Sequence, residues 1–372
     1  MAQLEPVVMV APGSLGLNTE QSDTLLGPLW STEAANCVID DAGRIAGRAG
    51  WQSQTTTALS SAITQAFEYL KDDGTTVPIV CTDTAIYGQL ANPAGTVLTP
   101  SSAPTAGNWQ FVNFIGNVYG FQTGHTPIAY TGSGVFTAMT AASGTLPNGN
   151  AAVAAFGRLW VLDSDKQTIR YCALLDPTKW DSASGGGTID MTSVWTQGMD
   201  EVTALAALGA NLVIFGRNHI IQYVDGLGSD IGLDPTNMYV VDTVEGTGCI
   251  ARDSVAAAGE GDLLYLSRHG VQSLGRVIQS KSSPVLALTK HVQSFLQDMV
   301  AAEDVNDIRA VHDPERKFYL LSLPACQTTL CIDTRVFFQD AEGSAVPRIT
   351  YWRPATPVTG LVSTKLGALQ MA

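Results

Sequence analysis

The 372 residues carry 34 acids against 20 bases, a formal net charge of −14, with 45% hydrophobic and 15% charged residues. That balance excludes a protein that grips nucleic acid through a basic face, since phosphate neutralisation needs clustered Lys and Arg, yet it is compatible with a channel along which DNA slides without sticking. No run of about 18 apolar residues occurs, so no membrane-spanning helix is expected, and 36 glycines among Thr-, Val- and Ser-rich stretches predict short strands joined by tight turns.

In chain order, residues 7–10, including Val7 and Val8, read as a strand rather than a signal peptide, because no basic segment precedes them. Residues 14–53 are Gly-rich with Asn, Asp and Arg turns and predict an extended arm. The division expected is therefore an N-terminal strand and arm over 1–60 and a repeat domain over 61–372. Arg44, Arg48 and Lys71 form the basic concentration near the N-terminus, expected to make salt bridges at a subunit boundary.

From there one phrase recurs: an apolar strand, a turn, a second apolar strand, a hairpin and another strand. The second strands fall at 77–80, 118–121, 159–162, 212–215, 263–266 and 318–321, spaced about 40 to 55 residues apart, the period of β-propeller blades. Gly116-Asn117, Gly157-Arg158 and Gly261-Asp262 precede them and supply hairpin turns. Small-residue strands at 151–155, 202–208 and 254–258 suit the crowded inner edge of a propeller. Residues 358–369 echo the stretch beginning at Val202, so the last unit stops about two strands in. The expected fold is an all-β propeller of about seven blades, the last closed by the N-terminal strand.

One amphipathic helix interrupts the repeat, an insertion at about 284–304. Ser282-Ser283-Pro284 starts it by capping chemistry, and Val285, Leu288, Val292, Phe295, Leu296, Met299 and Val300 share one face. Lys290, Gln293, Gln297 and Asp298 share the other. The helix docks on the propeller rim or makes a subunit contact. Val7, Val8, Arg44, Arg48, Lys290, Gln293 and Gln297 are accordingly the candidate interface residues.

Motifs for chemistry are sparse. The acid pairs Asp40/Asp41, Asp72/Asp73, Asp163/Asp165 and Asp200/Glu201 fall in predicted turns, where Asp bonds to backbone; a glycosidase-type carboxylate pair is the rival reading. Asp225, Asp230 and Asp234 offer oxygen ligands for Ca²⁺ without the EF-hand spacing. The histidines show no His-Glu-x-x-His arrangement, and Gly185-Gly186-Gly187 lacks the Lys of a phosphate loop. Cysteines 37, 81, 172, 249, 326 and 331 form no Cys-x-x-Cys pair and are expected as buried thiols of a protein made in a reducing cytoplasm. No enzyme activity, cofactor or metal is expected.

The arm carries Gly16-Leu17-Asn18-Thr19, then Glu33-Ala34-Ala35-Asn36, Gly43-Arg44-Ile45 and Arg48-Ala49-Gly50-Trp51. After the predicted helix come Ala310-Val-His-Asp-Pro-Glu-Arg-Lys-Phe, then Cys331-Ile-Asp-Thr-Arg and Tyr351-Trp352. In these stretches the chain resembles the nozzle proteins of podovirus tails, also called tail tubular protein B. The resemblance implies a structural subunit of the virion tail, synthesised in the host bacterial cytoplasm. It implies a homo-oligomeric ring, typically six copies, below the portal and its adaptor. It further implies a lumen for double-stranded DNA retention and ejection and sites for tail fibres or spikes. Many relatives are longer, with platform and tip domains. The alternatives are a propeller-type binding module that recruits a viral or host partner, and a glycan-degrading tail propeller.

Overall fold

A computed structural model describes residues 12–53, 58–59, 61–88, 96–97, 108–196, 198–225, 234–259, 261–280, 287–340, 343–365 and 369–371. The arm holds four short strands, β1 (Gly16–Leu17), β2 (Trp30–Ser31), β3 (Cys37–Ile39) and β4 (Ile45–Gly47). The first blade is β5 (Ile63–Leu70), β6 (Thr76–Thr82), β7 (Ile86–Gly88) and β8 (Thr96–Val97). The second is β9 (Gln110–Phe114), β10 (Asn117–Phe121), β11 (Ile128–Tyr130) and β12 (Thr137–Ala138). The third is β13 (Ala152–Ala155), β14 (Arg158–Leu162), β15 (Thr168–Tyr171) and β16 (Gly187–Asp190). The fourth is β17 (Val202–Leu208), β18 (Asn211–Gly216), β19 (His219–Asp225) and β20 (Met238–Glu245).

A three-stranded sheet follows, β21 (Ala256–Ala258), β22 (Asp262–Ser267) and β23 (Gly270–Ser273), leading directly into helix α1 (Leu274–Ser280). After α2 (Gln293–Ala301) comes the fifth blade, β24 (Arg309–Asp313), β25 (Phe318–Leu323), β26 (Thr328–Gln339) and β27 (Ala345–Trp352). A terminal hairpin, β28 (Leu361–Ser363) and β29 (Leu369–Met371), ends the described chain.

The first strand of each unit is innermost. β5, β9, β13 and β17 adjoin in turn, β17 meets the turn Arg252–Ser254 ahead of β21, β21 adjoins β24, β24 adjoins β28, and β28 adjoins β5. The circle is closed, and the fold is a β-propeller. All six second strands read from the sequence are second strands here. Their turns have the backbone geometry that hairpins require: Ile115-Gly116 and Phe156-Gly157 both have positive φ at both positions, joining β9 to β10 and β13 to β14 by two-residue loops. Hydrophobic clusters fill the gaps between sheets, for instance Tyr69, Ile79, Trp109, Phe111 and Phe136 between the first two blades.

Two expectations need correction, the blade count and the start of the helix. Among the described residues five blades are complete, not about seven. α1 occupies the place of a fourth strand after β23, and the last unit, as expected, has only two strands. β28 is the innermost strand of that last sector; the run containing Val7 and Val8, expected to close it, lies outside the described residues. Finally, the long helix begins at Gln293, after a 3-10 turn Lys290–Val292, rather than near 285. Leu288 instead donates its backbone N–H to the Val271 carbonyl (2.8 Å), and the Thr289 hydroxyl accepts from the Val271 N–H (3.1 Å). The sheet edge thus takes the backbone groups that a helix would have used. Residues 281–286 lie outside the described residues.

The arm is a strap on the fifth blade. β1 runs parallel to β27 and to β2, giving the strand order β2-β1-β27-β26-β25-β24. Gly16 has φ 89°, and a Cβ there would sit 2.6 Å from the Ile349 carbonyl oxygen, so only glycine allows this approach. Leu17 then enters the core and Asn18 is fully buried. Asn36 bonds Tyr351 through its backbone N–H (2.7 Å), while its side-chain oxygen accepts from Arg48 Nε and the Arg353 N–H, both at 3.0 Å. Gly16, Leu17, Asn18 and Asn36 thus seat the arm.

Candidate functional site

The most concentrated polar chemistry lies at the axis, at the end where the inner strands begin. Arg252 and Asp253 stand in the turn ahead of β21, and Arg309 opens β24. Asp253 Oδ2 lies 2.7 Å from Arg252 Nη2 and 3.2 Å from Arg309 Nη1. Arg252 also donates to the Asn150 carbonyl (2.5 Å), to Asn108 Oδ1 (2.6 Å) and to the Trp109 carbonyl (3.1 Å). Arg309 donates to Gln65 Oε1 (2.8 Å), to the Thr64 carbonyl (3.1 Å) and to the Asn306 carbonyl. The three side chains are 8%, 11% and 6% exposed in the order Arg252, Asp253, Arg309. Burial opposes ionisation of Asp253, but the two guanidiniums prevail and hold its carboxyl below the usual range. The arrangement ties the first, second, third and fifth blades to the three-stranded sheet. All three nitrogens of each guanidinium are engaged within the protein, so the cluster is a plug rather than an anion receptor.

The acid pairs serve turns. Asp200 accepts from the backbone N–H groups of Glu201 (2.8 Å), Arg217 (3.2 Å) and Asn218 (2.7 Å) and from His219 Nδ1 (2.9 Å). Burial works against its charge, but these donors win and the carboxyl titrates below its usual value. Asp73, Asp176, Asp190 and Asp234 each accept from both the N–H and the hydroxyl of a threonine two residues on. This recurrent Asp-x-Thr turn commits four of the acids to backbone. Asp72 and Asp73 lie in the β5–β6 turn of the first blade, Asp163 and Asp165 in the β14–β15 turn of the third, and Asp200 and Glu201 just ahead of β17 in the fourth, so the acid pairs are spread over different sectors. Of the Ca²⁺ candidates, Asp230 lies outside the described residues, while Asp225 accepts from the Asp234 N–H (3.0 Å). Among the described residues no group of three or more potential metal ligands converges. Cys81, Cys172, Cys249 and Cys331 are buried and Cys37 and Cys326 half-buried; burial pushes the Cys172 and Cys249 thiols each up to about 11.

The sequence-predicted interface residues do not gather in one place. Val7 and Val8 lie outside the described residues. Arg44 is exposed and pairs with Asp40 (2.6 Å). Arg48 is half-buried, its guanidinium 5.5 Å from the Trp51 ring and 6.0 Å from the Trp352 ring. Lys290 forms an ion pair with the buried Asp340. Gln293 is half-buried at the start of α2, and Gln297 Nε2 donates to the Arg268 carbonyl (3.2 Å). The polar face of α2 is thus partly tied to its own chain. The strap secures the same helix: Glu20 accepts from the Ser294 N–H (2.7 Å) and hydroxyl (2.9 Å), a carboxylate at a helix N-terminus.

Sequence reasoning missed the outward edges. On β20, the outer strand of the fourth blade, Tyr239, Val240 and Val241 are 54%, 39% and 49% exposed. On the strap, all of β4 is exposed, and Ile45 and Trp51 are 51% and 46% exposed. The available signal was the run Met238-Tyr-Val-Val, strand-forming but not alternating with polar residues as a strand with one wet face does.

No family model and no curated protein matches the chain at a significant level. Among solved structures, a streptogramin B lyase is similar at 9% identity, with 84% of this chain and 92% of that chain covered and a TM-score of 0.47. The WD40 domain of Neurospora crassa Pan2 is similar at 8% identity, with 84% and 86% covered and a TM-score of 0.47. Neither of these two is a phage tail protein. The likeness concerns architecture alone, and the fold assignment rests on the sheets themselves.

Proposed function

We propose that this chain is an assembly module, a rigid propeller that presents its outer rim to protein partners and performs no chemistry of its own. The observation that carries this reading is the contrast between axis and rim. The axial arginines are fully engaged and the turn acids are committed to backbone, while contiguous apolar residues on β20 and on the strap face outward. Large exposed apolar groups on strand edges are characteristic of surfaces that meet other proteins.

The narrower form of the reading is a nozzle-type subunit of a phage tail ring around double-stranded DNA. The resemblance of the strap stretches to that family and the strong net negative charge, which disfavours phosphate adhesion, support it. Sedimentation and negative-stain imaging of the purified chain, alone and mixed with adaptor and fibre proteins of a tail, test both forms. The ring reading expects closed rings. A stoichiometric complex without a ring leaves the binding module as the function, and a chain that stays monomeric with every component refutes both.

A further inference from the structure

Among the described residues two arginines are buried, Arg158 and Arg309, at 8% and 5% exposure. Arg309 has the carboxylate of Asp253 beside it (3.2 Å), whereas Arg158 has no described carboxylate within ion-pair distance. It opens β14 at the end of the third blade opposite the axial plug, where β15 ends at Tyr171 and β16 starts at Gly187. Its Nη1 donates to the Cys172 carbonyl (2.7 Å) and the Gly185 carbonyl (2.6 Å), which uses both protons of that nitrogen. The guanidinium lies over the Tyr171 ring, 5.6 Å from its centroid. Gly187 makes room for that ring, since a Cβ there would collide with the Tyr171 hydroxyl. Nε is buried without a partner, and Nη2 has no acceptor among the described residues. These two nitrogens form the side edge of the guanidinium, whose parallel N–H groups match the two oxygens of a carboxylate.

A buried charge without a counter-charge is costly, and burial pushes the Arg158 guanidinium below its ordinary range. Asp234 acts on it only at longer range, and its own carboxylate accepts from the Thr236 N–H (3.0 Å) and hydroxyl (2.8 Å) and from Asn237 Nδ2 (3.0 Å). Lys179 is paired with Asp176 (3.0 Å). Arg348 shares the unbonded Nε but is only half-buried.

The rim beside this edge is apolar and strained. Leu174 and Leu175 are 39% and 55% exposed. Both lie against Gly157, the neighbour of Arg158: the Leu175 N–H bonds the Gly157 carbonyl (2.8 Å), and a Cβ on Gly157 would stand 2.7 Å from Leu174 Cδ1. Phe156 and Leu175 have φ of 55° and 54°, a backbone that bulky side chains rarely adopt. Seven described non-glycine residues have positive φ; the apolar ones are Ile115, Phe156 and Leu175, and two of these three flank Arg158. Strain kept under exposed apolar side chains is characteristic of surfaces that meet a ligand.

We propose that the Nε–Nη2 edge of Arg158 receives a carboxylate from a protein partner, an Asp or Glu side chain flanked by apolar residues that settle on Phe156, Leu174 and Leu175. Charge complementarity selects the acid, and a single guanidinium in an apolar rim suits a monoanionic carboxylate better than a phosphate dianion. This deepens the assembly-module reading, on which it rests, by giving the chemistry of one contact.

The test titrates acetyl-Leu-Glu-Leu-amide into the full-length protein, with acetyl-Leu-Gln-Leu-amide and free isovalerate for comparison. Binding is followed by the nitrogen–proton NMR resonance of the Arg158 Nε–H, assigned by its loss in Arg158→Lys. The Glu peptide is expected to shift that resonance and to bind about tenfold or more tighter than the Gln peptide. Arg158→Lys keeps a positive charge but lacks the fork, and is expected to bring the two peptides to the same affinity. Leu175→Asn is the second variant, because Asn tolerates left-handed backbone. It should keep or raise the melting temperature while weakening the Glu peptide about fivefold or more. Equal affinity for the two peptides in the parent, or binding of neither, overturns the proposal, as does Glu-peptide binding unchanged in both variants. Isovalerate binding as tightly as the Glu peptide makes this a small-acid site and overturns the protein partner. None of these outcomes touches the assembly-module reading, which sedimentation with tail components decides separately.

Discussion

Two seams of the propeller are built very differently. Between the three-stranded sheet and the fifth blade, Leu264, Leu266, Leu321, Leu330 and Tyr319 pack with Leu296 of α2 and with Leu17 of the strap. The Tyr319 hydroxyl adds a bond to the Ser254 carbonyl (2.7 Å). Where the terminal hairpin meets the first blade, the face of that blade turned from the second blade buries only Val80, Ala85 and Tyr87 among the described residues. One further tie there runs from the Lys365 N–H to Glu68 (2.7 Å). The thick seam joins sheets reinforced by two additional elements, a helix and a strap, whereas the thin seam is made by a hairpin of two short strands. The axial plug spans the difference, because Arg309 of the fifth blade reaches past the hairpin to Gln65 and Thr64 of the first.

The largest effect is therefore expected at the plug. Asp253→Ala leaves two buried guanidiniums facing each other without their shared carboxylate. Loss of one member of a buried ion network costs about 3–5 kcal/mol, measured as the drop in unfolding free energy in urea. Amide exchange should accelerate most in β5 and β28, where the plug compensates for sparse packing. A loss under about 1 kcal/mol removes the plug from the account of ring closure.

Core truncation sharpens the same comparison. Leu330→Ala opens a cavity in the thick seam and should cost about 2–5 kcal/mol. Val80→Ala removes two methyl groups from the thin seam and should cost about 1–2 kcal/mol. Equal losses would mean that the two seams are energetically alike despite their packing. Next in size is Gly16→Ala, which places a methyl group against the Ile349 carbonyl at a positive φ. Strain of about 1–3 kcal/mol is expected, with faster proteolysis of the strap between β1 and β2 while the blades stay intact.

How much of this was legible depends on where the information sits. The second strands were readable because apolar runs and glycine turns recur locally, as at Arg158–Leu162 after Phe156-Gly157. The small-residue stretch 202–208 matched β17 for the same reason. α1 was not readable, since seven residues beginning Leu274-Gly275-Arg276 are too few to show a helical period, and Leu274 and Val277 simply bury beside Tyr265. α2 was placed too early because Leu288 and Val292 fit a helical face but bury from a turn and a short 3-10 helix. The plug has no local signature at all. Asp253 and Arg309 stand on consecutive units, far apart in sequence, and only closure of the ring brings Arg309 to Gln65 and Thr64. The open edge of β20 was missed because a Tyr-Val-Val run looks the same whether it ends a blade or faces solvent.

The smallest expected effect is on pH dependence, and it opposes two buried carboxylates. Asp253, with its carboxyl held low by Arg252 and Arg309, contributes stability that is present above the usual carboxylate range and is lost as pH falls through its folded value. Asp163 behaves in reverse. Burial pushes its carboxyl up despite the ion pair with Arg170 (2.5 Å) and the Asn148 N–H (3.2 Å), so its contribution is full at low pH and declines as pH rises through its folded value. From pH about 6 down to about 3, across the ordinary carboxylate range, Asp253→Asn should flatten the acid loss of urea stability relative to the parent. Asp163→Asn should steepen it over the same interval. Parallel curves for all three proteins would show that neither carboxylate changes its affinity for protons on folding, and would leave the plug held by hydrogen bonds rather than by charge.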